Sequence, residues 1–216
     1  MEHNLKRDLH MRKIIIATLL SLAFTSANAN IIFSDDFDSE APNSGSILNY
    51  GSFSNPSFAN WTVSKGTVDL IANVNQWGIS CAGNSGKCVD LDGSTKDAGI
   101  LSSKYFTLAA GNYILSFDIS GNQRNKRKDR LDFSLAGFVN ETIRLKGTKD
   151  FRTLSFFFTV GASSYDSIVF NHRGKDNIGM ILDNVSVTDV NAPGALALLG
   201  LGLTGLAVRR KKQKSI

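Results

Sequence analysis

The chain has 216 residues, a formal net charge of +5 and a pI of about 9.2. The basic excess belongs to the two ends: positions 30–190 hold 15 Lys and Arg against 17 Asp and Glu, a net of −2. The pI therefore gives no reason to expect a nucleic-acid partner, and the 161 residues of that middle stretch suffice for one domain with a proper core.

The first element is a leader, residues 1–29. Met11-Arg12-Lys13 is a short basic region, Ile14 to Phe24 an apolar run of 11 residues, and Ala27-Asn28-Ala29 a small-x-small cleavage site. The run is short for a bilayer span. A secretory signal peptide cut between Ala29 and Asn30 is expected, which makes the secretion machinery and signal peptidase partners. Met11 is an alternative start, and a retained N-terminal anchor is the competing reading.

The body, 30–190, shows no repeat and no sustained helical period. Period-two alternation recurs instead. Tyr113, Leu115, Phe117 and Ile119 form one apolar face; Leu131, Phe133 and Leu135 another; Leu154, Phe156, Phe158 and Val160 a third. Ile168 and Phe170, then Ile181, Val185 and Val187, close the domain, with turns at Gly121-Asn122, Gly161-Ala162 and Gly174. Many short strands so spaced predict an all-β fold, a β-sandwich. Cys81 and Cys88 flank Ala-Gly-Asn-Ser-Gly-Lys. In an exported chain they are expected to form a disulfide. Free thiols and a metal site are the alternatives, the latter short of ligands because zinc takes four.

Several polar and aromatic residues are candidates for a site. Alternation places Asp35 with Ile31, Phe33 and Phe37, and Asp183 with Ile181, Val185 and Val187. If the first and last strands are neighbours, the two carboxylates converge and call for a cation, and oxygen ligands favour calcium. A structural Ca²⁺ on Asp35 and Asp183, with Asp36, Asp38 or Glu40 completing its shell, is one expectation; the other is that Asp183 caps backbone amides or faces solvent. No other cofactor is expected. Trp77, in Asn75-Gln76-Trp77-Gly78, is a candidate for stacking on a sugar ring, with Trp61, Tyr50 and Tyr165 behind it. Core packing is the competing reading for both tryptophans. Arg124-Asn-Lys-Arg-Lys-Asp-Arg130 reads as a loop tip, either a solvated turn or a contact for anionic polysaccharide or lipid headgroups. No catalytic residues are assigned: His172 is the body's single histidine and no Gly-x-Ser-x-Gly elbow occurs.

The last element is a tail, 191–216. Gly194 to Val208 runs 15 residues without a charge, and Arg209-Arg210-Lys211-Lys212 follows at once. As a helix the run is about 22 Å long. It predicts a single transmembrane helix in the inner membrane with its basic cluster cytoplasmic.

Asn191-Ala192-Pro193-Gly194, the Leu/Gly-rich run and the cluster opened by Arg209 and Arg210 resemble the PEP-CTERM sorting signal. The family motif is Pro-Glu-Pro, and Pro193 matches its second proline. The resemblance implies an exosortase-type sorting enzyme as partner and a place in exopolysaccharide or biofilm matrix; an ordinary membrane anchor is the alternative. In the body, Cys88-Val-Asp-Leu-Asp-Gly93, Ala110 to Asn122 and Asp176 to Val187 resemble the jelly-roll domains of PEP-CTERM proteins, which look related to carbohydrate-binding modules. That implies a jelly-roll-like sandwich with no catalytic role, associated with glycan. The expected function is an exported cell-surface or matrix protein, anchored in the inner membrane until processed and partnered by extracellular polysaccharide. The alternatives are an exported glycan-processing enzyme and a purely structural anchored protein.

Overall fold

A computed structural model describes residues 29–41, 47–50 (backbone only), 58–73 and 77–190. The leader up to Asn28 and the tail from Asn191 lie outside the described residues, so the sorting residues Asn191, Ala192, Pro193, Arg209 and Arg210 lie outside them too.

The strands, in chain order, are Ile31–Asp35 (β1), Ile47–Tyr50 (β2), Trp61–Ser64 (β3), Val68–Ala72 (β4), Lys87–Asp90 (β5), Ile100–Ser103 (β6), Phe106–Leu108 (β7), Gly111–Ser120 (β8), Lys128–Leu135 (β9), Val139–Lys146 (β10), Arg152–Val160 (β11), Ser164–Asp166 (β12), Ile168–His172 (β13) and Ile181–Asp189 (β14). The one helical turn among the described residues is Ala82–Asn84, inside the cysteine loop.

Two sheets form a sandwich. One is seven-stranded, in the order β11-β8-β14-β5-β4-β2, with β1 also on β14; the other is five-stranded, β10-β9-β13-β6-β3. A two-stranded ribbon, β12-β7, is paired with neither sheet, but its Leu108 is buried in the core and its Phe106 stacks on Phe33 of β1. All strand pairs are antiparallel, so each strand can bury one face and leave the other wet. The alternating apolar positions of β8, β9 and β13 meet in the middle: Phe117 lies edge-on to Phe133 at 5.0 Å and to Phe170 at 5.2 Å. Leu115, Ile119, Leu131, Leu135 and Val187 surround them at 0% exposure. The bulky ring cluster fills the gap between sheets with side chains that lose little rotamer freedom on burial.

The first and last strands are neighbours. β1 pairs β14 with Asp35 opposite Val185. Asn30 donates its amide to Asp189 Oδ1 at 2.7 Å and accepts the Asp189 amide at 2.9 Å, so the chain enters and leaves the domain side by side.

The alternation of β14 is broken, however. Asn184 has a φ of 50° and the ladder to β8 shifts between Asp183 and Ser186. This bulge turns the strand over. Leu182, Val185 and Val187 face the main core, whereas Ile181 joins a second cluster with Ile71, Ile79, Cys81 and Cys88, with Trp77 and Phe151 packed on it. Cys81 and Cys88 form a disulfide with Cα atoms 5.4 Å apart, so the thiolates a metal would need are spent. Replacing both cysteines by alanine is expected to cost about 2–3 kcal/mol, the loop-closure entropy of so short a span. A urea midpoint equal to that of the parent would show that the loop is held by its hydrogen bonds alone.

Candidate functional site

The two carboxylates expected to converge do not. Asp35 points into the main core, where Oδ1 accepts the Phe37 amide at 2.8 Å and Oδ2 accepts Asn60 Nδ2 and Trp61 Nε1, each at 3.0 Å. Three donors satisfy it without a cation, and they fix Trp61 in the core against Phe33 and Phe37. Asp183 sits on the other side of the Asn184 bulge, under the cysteine loop. Its Oδ2 accepts the Ala82 amide at 3.0 Å and its Oδ1 the Asn184 amide at 2.8 Å. Alternation placed both acids on inward faces; the extra residue in β14 separates them. Burial pushes the Asp183 carboxyl up to about 7, against those two amides, with Asp38 and Asp118 adding to the rise.

Trp77 is half-buried against the disulfide cluster, and Trp61 is 3% exposed. Tyr165 is 67% exposed and stacks on Tyr105 with ring centroids 5.2 Å apart. It lies on β12, in the separate ribbon.

The basic stretch is not a loop tip throughout. Arg124 turns inward, its Nη2 2.5 Å from Asp90 Oδ2. Asn122, fully buried, ties the turn with its carbonyl on the Arg124 and Asn125 amides, each at 2.9 Å, and its amide on Asp129 Oδ2 at 2.8 Å. Lys128, Asp129 and Arg130 already belong to β9.

Those residues open a surface built on the outer face of the five-stranded sheet. The pairings β10-β9-β13-β6-β3 place Asn140, Ser134, Val169, Ser102 and Thr62 in one cross-strand row. Thr142, Asp132, Asn171, Ile100 and Ser64 make the next. A row crosses four strand spacings, about 19 Å. Asp132 is its polar hub: Thr142 Oγ1 donates to Oδ1 at 2.7 Å, Arg130 Nε to Oδ1 at 2.9 Å and Arg173 Nε to Oδ2 at 2.7 Å. Slight burial pushes this carboxyl up, but Thr142, Arg173 and Arg130 outweigh it and hold it at about 2.

The second row runs into a cavity of about 590 Å³ lined by Lys65, Asp97, Ile100, Asn171, Arg173 and Lys175 among others. Two buried acids shape its wall. Asp90 Oδ1 accepts the amides of Asp92 at 3.1 Å and Gly179 at 2.9 Å. Asp92 Oδ2 accepts those of Asp176 and Ile178, both at 3.3 Å. A Cβ at Gly174 would stand 2.1 Å from that same Oδ2, so only glycine lets the 174–178 loop close over it. Asp92 Oδ1 is buried without a hydrogen-bond partner, and burial pushes this carboxyl up to about 6, against the two amides.

His172 is 3% exposed beneath the cavity. Its Nδ1 accepts the Gly174 amide at 3.0 Å, while the Met180 amide lies 3.4 Å from Nε2. A neutral imidazole accepts at one nitrogen only, and the shorter contact marks Nδ1. Burial pushes the ring down to about 4, so it is uncharged at neutral pH.

Sequence reasoning missed this face. Its signal was the polar half of each alternation: Lys128, Arg130, Asp132 and Ser134 between the core residues of β9, and Thr142, Arg144 and Lys146 between those of β10.

No family model matches the chain, and no curated relative does. It is similar to the solved Clostridium thermocellum N-terminal endo-1,4-beta-D-xylanase 10B CBM22-1–GH10 modules complexed with xylohexaose, at 11% identity and a TM-score of 0.47. That match covers 74% of this chain and 28% of the xylanase chain. It is similar also to the CBM22-1 xylan-binding domain from Paenibacillus barcinonensis Xyn10C, at 12% identity over 78% of this chain and 99% of that one, TM-score 0.45. A carbohydrate-binding module from Cellvibrio mixtus lichenase 5A in complex with cellotriose matches at 13% identity over 75% of this chain and 100% of that one, TM-score 0.39. None of these likenesses assigns this chain a ligand.

The buried titrating groups predict a pH profile. Asp183 and Asp92 hold a proton more tightly folded, at about 7 and about 6, than at their ordinary value of 3.8. Their contribution is complete below that value and is lost as pH rises through the folded ones. His172 acts in the opposite sense, gaining as pH rises from about 4 to 6.5. Burial pushes Asp90 up to about 8 as well, against the Arg124 guanidinium beside it. Three losses outweigh one gain, so the urea midpoint is expected to be higher at pH 5 than at pH 8, and the difference to shrink in Asp183→Asn. A parent midpoint that rises from pH 5 to pH 8 would contradict this.

Proposed function

We propose that the protein is an exported, noncatalytic component of the cell surface or extracellular matrix, a jelly-roll-like module that binds polysaccharide on the outer face of its five-stranded sheet. The observation that carries this reading is the pair of adjacent cross-strand polar rows, the second of which runs into the cavity beside Asn171. A sugar offers hydroxyls that both donate and accept, at close spacing. Short amide and hydroxyl side chains do the same, and Asn140, Ser134, Ser102, Thr62, Thr142, Asn171 and Ser64 are held by a continuous ladder that leaves little entropy to lose on binding. The state of His172 supports the noncatalytic part: it is buried, neutral and engaged with backbone. Export and sorting through the tail rest on the sequence features of 1–29 and 191–216.

Two measurements test the reading. Full-length protein is expected to be retained by the producing cell's own polysaccharide, and the pair Thr142→Ala and Asn171→Ala to weaken retention about tenfold, the loss of two neutral hydrogen bonds. No retention by that polysaccharide would sink the glycan reading. Intact mass and terminal peptides of the native protein are expected to give a start at Asn30 and an end near Pro193; an intact Ile216 would leave a plain membrane anchor.

A further inference from the structure

The polar rows have a charged border. Past the row of Thr142 and Asp132, β9 and β10 place Arg130 directly opposite Arg144, and Lys128 directly opposite Lys146. All four are exposed. Like charges directly across an antiparallel pair are destabilising, and here two such pairs stand side by side. Arg173, 53% exposed on the neighbouring side of Arg130, adds a fifth cation, and Asp132 is the one acid among them. This excess sits on a body whose net charge is −2, so the positive charge is concentrated here while the rest of the domain is acidic.

The guanidiniums are also positioned. Asp132 takes the Nε of Arg130 on one oxygen and the Nε of Arg173 on the other. Among the described residues no hydrogen bond uses the terminal nitrogens of either, or any guanidinium nitrogen of Arg144. One carboxylate thus fixes two guanidinium planes and leaves their outer edges, each with paired N–H donors, open to solvent. That edge matches a carboxylate or sulfate in two-point contact.

We propose that the glycan bound on this face is anionic, a polysaccharide carrying carboxylate or sulfate groups, with its charges on Arg130, Arg144 and Arg173 and its hydroxyls on the polar rows. This rests on the reading of the face as a glycan site and adds the ligand's charge. A lipid surface fits less well. The large apolar side chains exposed among the described residues are Ile31, Tyr105, Phe157 and Tyr165, and none is on a strand of this sheet, whereas membrane binding at an interface draws on buried apolar area beside the charge. A single-stranded nucleic acid would want aromatic platforms on the face, and its outward positions hold none.

The test titrates full-length protein with polygalacturonate, with neutral dextran, with the producer's own polysaccharide and with phosphatidylglycerol vesicles. Polygalacturonate is expected to bind, to be released by added salt, and to bind about tenfold or more weakly to the pair Arg144→Gln and Lys146→Gln, which removes charge-assisted contacts. That pair is expected to melt no lower than the parent, because it relieves two like-charge pairings. Dextran bound as tightly as polygalacturonate, or an unchanged affinity in the double variant, overturns the anionic assignment and leaves the glycan reading standing. Failure of every glycan, the producer's own included, overturns both. Vesicles bound in preference to polygalacturonate make the face a membrane contact and also overturn the proposal.

Discussion

The structure depends on the last strand. β14 pairs with β8 along its whole length on one edge and with β5 and then β1 on the other. The bulge at Asn184 adds a residue and reverses which face looks inward. Upstream of it, Ile181 and Asp183 face the disulfide cluster; downstream, Val185 and Val187 face the ring cluster between the sheets. Two small cores on opposite sides of one sheet are therefore joined through a single strand.

From that arrangement follow the fates of the acids. Asp35, beside Val185, faces the main core and becomes the acceptor that orients Trp61. Asp183 serves the cysteine loop. Asp90 and Asp92, at the end of β5 where it meets β14, reach past the sheet edge and gather the amides of the 174–179 loop. Buried carboxylates in this domain collect backbone donors and hold loops in place, which is how an all-β fold with many irregular connections meets its hydrogen-bonding needs without helices to absorb them. The loop they hold walls the cavity at the end of the five-stranded sheet.

Much of this was legible in the sequence. The period-two faces of β8, β9, β11 and β13 predicted the strands and most of the main core, because alternation is a local property. The cysteine pair, close in sequence with small residues between, predicted its own bridge. The pairing of the first and last strands entered the sequence reading only as a condition, and the structure meets it. What alternation does not carry is a break in its own phase: nothing in Leu-Asp-Asn-Val-Ser marks Asn184 as the extra residue, and the expected meeting of Asp35 and Asp183 fails on that one position. The proposed glycan face was illegible for another reason. Arg130 and Asp132 come from β9, Arg144 from β10 and Arg173 from the residue after β13, and only the pairing of these strands shows that they adjoin. In the chain, Arg130 belongs to a run of basic residues whose first member, Arg124, points into the protein and away from this surface.

The pairing of β1 with β14 also sets an order of events. Ile31 lies opposite Thr188, at the far end of the body. While the chain is being made, β1 has no partner until nearly every other strand exists, and β14 in turn needs β8 and β5 already in place to receive it. The β1–β14 pairing joins residues of nearly maximal sequence separation, and such contacts make for slow folding. A partly made chain carries Ile31, Ile32 and Phe33 without the strand they pair with, an apolar edge open to other chains until β14 exists.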